Sequence, residues 1–252
     1  MPLSRRSVMA GALVAAGTSR QARALSADAS SQGSGIAILL YPGMTALDVA
    51  GPQGLLAGLG PIRTVARRRG RVESDTGLAL VASDNFETCP RDLSVLLVPG
   101  GDGTPAQMRD PATLDFLRGR AARAGWVASV CTGSLILGAA GLLAGYRATS
   151  HWCVRDRVLP LLGAVPVEER VVFDRNRVTA AGVSAGLDLA LALAARLRGE
   201  DYARTAQLVA EYAPQPPFRA GTPAEAGAAI TQAADAILAD LVEGSLAAAR
   251  AR

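Results

Sequence analysis

Short apolar runs, each cut off by glycine, proline or another small residue and each followed by a helix-like stretch, constrain this chain of 252 residues more than any other feature. Residues 36–41 (IAILLY), 93–98 (LSVLLV) and 126–130 (WVASV) show almost no alternation of polar and apolar side chains. A strand that is apolar on both sides has to be covered on both sides, which is the condition of a parallel sheet with helices on each face. Pro42-Gly43 stops the first run and Pro99-Gly100-Gly101 the second, while the third passes directly into Cys131-Thr132-Gly133 and a helix through residue 140. Further helices are expected over 47–59, 151–162, 184–197 and 202–212, and over 111–123 with Asp110 as N-cap and Pro111 at its first position. Short strands fit 62–66, 146–149, 171–173 and 178–181, and 72–73 with 78–81 reads as a small hairpin turning on Asp75-Thr76-Gly77. Strands alternating with helices predict an α/β fold, a mostly parallel sheet with helices on both faces. No repeat or linker divides it, so a single domain is expected over 35–223, followed by an alanine-rich C-terminal helix over 224–252.

Composition removes several chemistries. All 26 basic residues are arginine, and with no lysine there is no Schiff-base chemistry, no Walker-type phosphate loop and no Ser–Lys catalysis. One histidine, His151, excludes a multi-histidine metal site, and Cys89, Cys131 and Cys153 match no zinc or paired-disulfide spacing, so no metal is expected. The net charge of +4 has a local origin: Arg5, Arg6, Arg20 and Arg23 lie in the first 24 residues, and without them 22 arginines face 22 acids. No basic face is left to hold nucleic acid.

Those first residues read as a targeting segment. Ser4-Arg5-Arg6-Ser7-Val8-Met9 is a twin-arginine pattern, and the apolar stretch at 8–17 falls short of the about 20 residues a bilayer crossing needs. Ala22-Arg23-Ala24 supplies small residues where a signal peptidase reads. The expectation is a signal over 1–24, a flexible lead-in over 25–34, and a periplasmic or secreted product without stable membrane association after cleavage.

The chemistry concentrates at residues 128–135 (ASVCTGSL), where an apolar strand meets a helix at a cysteine flanked by small residues. A tight elbow of this kind lifts the side chain above the strand ends, and a helix N-terminus favours thiolate over thiol. Cys131 is then either a nucleophile or a buried structural cysteine. Asp48, in the loop after the first strand, falls on the rim where open parallel sheets bind ligands, and is either a proton-handling partner or the cap of the next helix. His151 is either the base of a Cys–His pair or a packed structural residue beside Trp152. Gly100-Gly101, at the end of another strand, lets a backbone N–H approach a reacting atom, and with the Thr132 N–H this makes a candidate anion hole.

Tyr41-Pro42-Gly43, Leu47-Asp48, Gly51-Pro52, Val98-Pro99-Gly100-Gly101 and Ser129-Val130-Cys131-Thr132-Gly133-Ser134 together resemble the ThiJ/PfpI superfamily. Thr149-Ser150-His151-Trp152 and the segment 212–218 (YAPQPPF) narrow the resemblance to its isonitrile-hydrating branch. The resemblance implies a flavodoxin-like fold, a homodimer, and addition of water to a small-molecule isonitrile to give an N-substituted formamide through a thioimidate, with no cofactor. It assigns Cys131 as nucleophile, Asp48 as acid/base, Thr132 and Gly101 as backbone donors, and Val183 as pocket lining. Thr132 stands where protease-like and deglycase-like relatives carry histidine, and Asp48 where they carry glutamate, which argues against those chemistries. Two other readings are another cysteine-based activity on small dicarbonyl compounds and a non-catalytic redox sensor. A transcriptional regulator is disfavoured, since the 29 residues after Pro223 offer at most one long helix where a DNA-reading module needs several.

Overall fold

The computed structural model describes residues 35–252, so the expected signal and lead-in lie outside the described residues. A seven-stranded sheet forms the centre. In chain order its strands are β1 (Ile36–Leu39), β2 (Ile62–Ala66), β5 (Asp84–Asn85), β6 (Leu93–Val98), β7 (Ala124–Ser129), β10 (Val171–Asp174) and β11 (Arg177–Ala180). They lie in the order β10-β11-β7-β6-β1-β2-β5, all neighbours parallel except the β10–β11 hairpin. Register places Ile36 opposite Ile62 on one side and Val95 on the other, and Leu97 opposite Ala128. Every residue of β1 is buried, as its uninterrupted apolar run requires. The remaining strands form small two-stranded sheets: β3 (Gly70–Glu73) with β4 (Ala79–Ala82), and β8 (Arg147–Ala148) with β9 (Val165–Pro166).

The helices are α1 (Ala46–Leu56), α2 (Thr104–Gln107), α3 (Pro111–Ala121), α4 (Gly133–Ala139), α5 (Trp152–Val158), α6 (Ala185–Arg198), α7 (Glu200–Val209), α8 (Pro223–Ala226) and α9 (Ala228–Arg250). From β1 the chain steps through α1 to β2 on one side, whereas β6 leads through α3 to β7 on the other. Right-handed crossovers therefore set α1 and α3 on opposite faces. The α/β class, the mostly parallel sheet and the single domain match the sequence reading. Asp110 caps α3 as expected, its carboxylate accepting the Thr113 N–H at 3.1 Å.

Several boundaries differ for local reasons. The helix expected over 151–162 stops at Val158, because Pro160 has no N–H to continue it and a 3₁₀ turn over Pro160–Leu162 follows. The C-terminal helix is two pieces, broken at Gly227 with φ +78°. α9 crosses α5 and α2, where Arg157 meets Glu243 at 3.3 Å and Arg252 donates to the Met108 carbonyl. Among the described residues no helix is long and apolar enough to cross a membrane.

Candidate active site at the strand ends

The sheet order puts β1 between β2 and β6, so the direction in which successive strands are added reverses between β1 and β6. Loops leaving β1, β6 and β7 diverge there at one rim, the crevice in which open α/β sheets bind ligands. Asp48 lies just past β1, Gly100-Gly101 follow β6, and Cys131 follows β7.

Cys131 has φ +57°, a left-handed conformation that costs a non-glycine residue strain of about 1–2 kcal/mol. Its N–H donates to the Ala181 carbonyl at 2.8 Å and its carbonyl accepts the Ser150 hydroxyl at 3.1 Å. Small neighbours are compulsory. A Cβ on Gly100 would come within 2.5 Å of the Thr132 nitrogen and 2.9 Å of the Cys131 Cβ, and one on Gly133 within 2.2 Å of the Val98 carbonyl oxygen. Gly101, with φ +133°, lies equally tightly against the loop after β1, at Gly43 and Thr45.

Asp48 is fully buried on the first turn of α1. One carboxyl oxygen accepts the Gly100 N–H at 2.8 Å, and the other is buried with no hydrogen-bond partner. Burial pushes its pKa up to about 7, the Gly100 N–H opposes that, and the Asp75 charge adds to it. Asp48 is thus poised to exchange a proton near neutrality. Cys131 moves further. Burial and then the Asp48 charge push its thiol well above the ordinary range, against stabilisation of the thiolate by the Thr132 N–H and hydroxyl. The sequence suggested a thiolate from the helix N-terminus alone; with the residue 5% exposed, desolvation outweighs the dipole of the seven-residue α4.

The other expected residues take distinct places. The Thr132 hydroxyl accepts the Gly101 N–H at 3.0 Å and pairs with the Thr104 hydroxyl at 2.7 Å. Thr104 in turn meets Tyr41, whose hydroxyl donates to the Pro99 carbonyl at 2.8 Å. The N–H groups of Gly100 and Gly101, expected to face a substrate, are therefore engaged with Asp48 and Thr132 in this state. Val183 is half-buried on the turn between β11 and α6, next to the Ala181 carbonyl that fixes Cys131. His151 caps α5, its Nδ1 3.0 Å from the Cys153 sulfur, and burial lowers its pKa. Its hydrogen bonds run to Cys153, the arrangement of a packed residue. A cleft of about 440 Å³ between α5 and α9 is walled by Trp152, Cys153 and Val242 and does not include Cys131. All three cysteines are free, and no group of three or more His, Cys, Asp or Glu among the described residues could hold a metal ion.

Sequence reasoning missed the roles of Thr45, Asp75, Thr104 and Tyr41. Asp75 had appeared only as a turn residue and Tyr41 only within the Tyr41-Pro42-Gly43 pattern. The rest meet the site through contacts between distant segments, for which no local signal exists.

The DJ-1/PfpI family model matches residues 34–196, a span containing the whole sheet and every residue of this rim, and the chain belongs to that family. It is 50% identical over 201 residues to isonitrile hydratase from Pseudomonas putida, covering 79% of this chain and 87% of that protein. A ThiJ/PfpI family protein from Pseudomonas syringae of solved structure is 51% identical and superposes with a TM-score of 0.83, covering 86% of this chain and 90% of that one. The transcriptional regulator GbdR from Pseudomonas aeruginosa is 31% identical over 133 residues, which is 52% of this chain and 35% of the regulator.

Proposed function

We propose that this protein hydrates isonitriles to N-substituted formamides, with Cys131 as nucleophile and Asp48 as its proton partner. The observation that carries the reading is the Cys131–Gly100–Asp48 arrangement: a strained elbow thiol and a buried carboxyl near neutrality, both against one glycine. Identity of 50% to an isonitrile hydratase supports the substrate class. The reactive pair carries one proton between thiol and carboxyl. As Sγ attacks the terminal carbon of R–N≡C, the S–H proton passes to Asp48 and from there to the same carbon, giving the thioimidate Cys–S–CH=N–R. Water then adds to that carbon, its protons going to Asp48 and to nitrogen. The C–S bond breaks with return of a proton to sulfur, leaving R–NH–CHO. The sum is one isonitrile plus one water, so no redox partner is required.

A panel of alkyl and aryl isonitriles scored for formamide tests the reading. Wild-type turnover with loss of at least 10³-fold in Cys131→Ser supports it. Inert isonitriles alongside consumption of small dicarbonyl compounds refute it, and no turnover of either class favours the redox-sensor alternative. Export by the twin-arginine start and a homodimeric assembly belong to the same reading; cell fractionation and light scattering on the purified chain test them.

A further inference from the structure

We propose that Asp75 is a positioning residue for Asp48: from the tip of the β3–β4 hairpin it holds the Thr45 hydroxyl off the first turn of α1 and presents a carboxylate charge toward the Asp48 side chain. The hairpin is an excursion from the sheet, and it is tied down at the catalytic rim. Gly43 donates its N–H to the Glu73 carbonyl at 2.9 Å, Asp75 donates its N–H to the Met44 carbonyl at 3.0 Å, and Met44 bridges to Ser74. Thr45 is the N-cap of α1, yet its side chain makes no cap hydrogen bond; the hydroxyl donates to Asp75 instead. A threonine in that position ordinarily accepts from the second or third N–H of its helix. The Thr45 backbone meanwhile joins both halves of the site, its N–H to the Gly100 carbonyl at 2.8 Å and its carbonyl to the Asp48 N–H at 3.1 Å. Holding Thr45 therefore holds the Asp48 backbone and the Gly100 strand end together.

The second Asp75 oxygen is buried with no hydrogen-bond partner. Burial is the main cause that raises Asp48, Asp102 and Tyr41, and the Asp75 carboxylate adds to each. The titratable groups facing Asp48 are Tyr41 at the end of β1, Cys131 at the elbow and Asp75 on the hairpin, with Asp102 beside Asp75. α6, which packs on α1 through Gly186 and Leu187, contributes Asp188, and that carboxylate is tied to Arg170 and Tyr212. Among these groups, it is the Asp75 charge that adds to the effect of burial on Asp48.

This role rests on the hydratase reading only for its kinetic consequence, so the experiment has two readouts on the full-length protein. Carboxyl ¹³C NMR follows the Asp48 titration, assigned by its loss in Asp48→Asn, and the pH profile of kcat/KM for isonitrile hydration follows the reaction. Removing one neighbouring charge is expected to lower the Asp48 midpoint in Asp75→Asn from near neutrality by about one pH unit. The acid limb of hydration follows it downward, because the active pair carries one proton. Asp75→Glu, which keeps the charge, is expected to restore most of the midpoint. Asp75→Ser keeps a turn-favouring residue and replaces the asparagine variant if that one does not fold. An Asp48 midpoint that stays put in Asp75→Asn, or that falls as far in Asp75→Glu, overturns the proposal. A midpoint that moves while hydration is absent in wild type leaves Asp75 in its role and refutes the hydratase reading instead.

Discussion

Replacing Gly100 by alanine tests whether the elbow is built on absence of a side chain at that position. The added Cβ would lie 2.5 Å from the Thr132 nitrogen, 2.6 Å from its hydroxyl oxygen and 2.9 Å from the Cys131 Cβ. Ordinary contact begins near 3.4 Å, so something must retreat by about 1 Å, and the Thr132 nitrogen is backbone that no rotamer change can move. Overpacking of this kind costs about 1–3 kcal/mol; with backbone in the way the upper end applies, a fall of roughly 6–12 °C in melting temperature for a chain of this size. Displacing the sulfur by about 1 Å costs roughly 10²-fold in formamide formation. The control is Gly119→Ala on the exposed side of α3, where a Cβ meets nothing within 4 Å. There the same methyl is expected to raise the melting temperature by about 2–4 °C, since alanine favours helix by about 1 kcal/mol. Differential scanning calorimetry on the two variants reads both signs. If Gly100→Ala melts with wild type and turns over normally, the close packing of β6 on the elbow is not what positions Cys131.

Two further perturbations follow from the same structure. Burial pushes Asp48 up to about 7 in the folded state against 3.8 as a free side chain, so the native state holds its proton more tightly; its contribution to stability is greatest below pH 4 and declines as pH rises to 7, on the order of 4 kcal/mol in all. Asp48→Asn is expected to flatten that slope, to melt above wild type at pH 8, and to lose about 10²–10⁴-fold in hydration; a variant that keeps the wild-type slope in melts from pH 4 to 8 contradicts the assignment. Asp110→Ala removes the cap that receives the Thr113 N–H and hydroxyl, and is expected to cost about 1 kcal/mol, or 2–4 °C, with hydration unchanged because the Asp110 side chain meets Thr113 and Arg67 and no residue of the site.

What could be read from the sequence is what local chemistry decides. β1, β6 and β7 announce themselves because both their faces are buried, and the elbow because its small residues sit directly after an apolar run. Asp110 and Pro111 gave the start of α3 for the same reason. α2 is four residues long, and β5 and β9 are two each, too short for any periodicity to show, whereas β8 falls inside the strand expected over 146–149. In the site, Cys131 and Asp48 were visible as residue types at strand ends. Thr45 was not, because its hydroxyl serves a carboxylate thirty residues away. Ionisation was the least legible of all: a helix N-terminus argues for a thiolate, and only burial among packed segments reveals the opposite.

That reversal changes how the nucleophile has to work. A standing thiolate at Cys131 would need the short α4 and the Thr132 donors to outweigh both desolvation and the Asp48 charge, and they do not. In the proposed mechanism the sulfur instead becomes anionic only as its proton moves to Asp48, which the Gly100 N–H keeps oriented and burial keeps receptive. An isonitrile suits such a pair, because the carbon that accepts the sulfur also accepts the proton, and no charge is left in the dry rim. The same property bears on the proposed export. Oxidants react with thiolates far faster than with thiols, so a sulfur kept protonated until substrate arrives is protected in an oxidising compartment where a pre-ionised one would be lost.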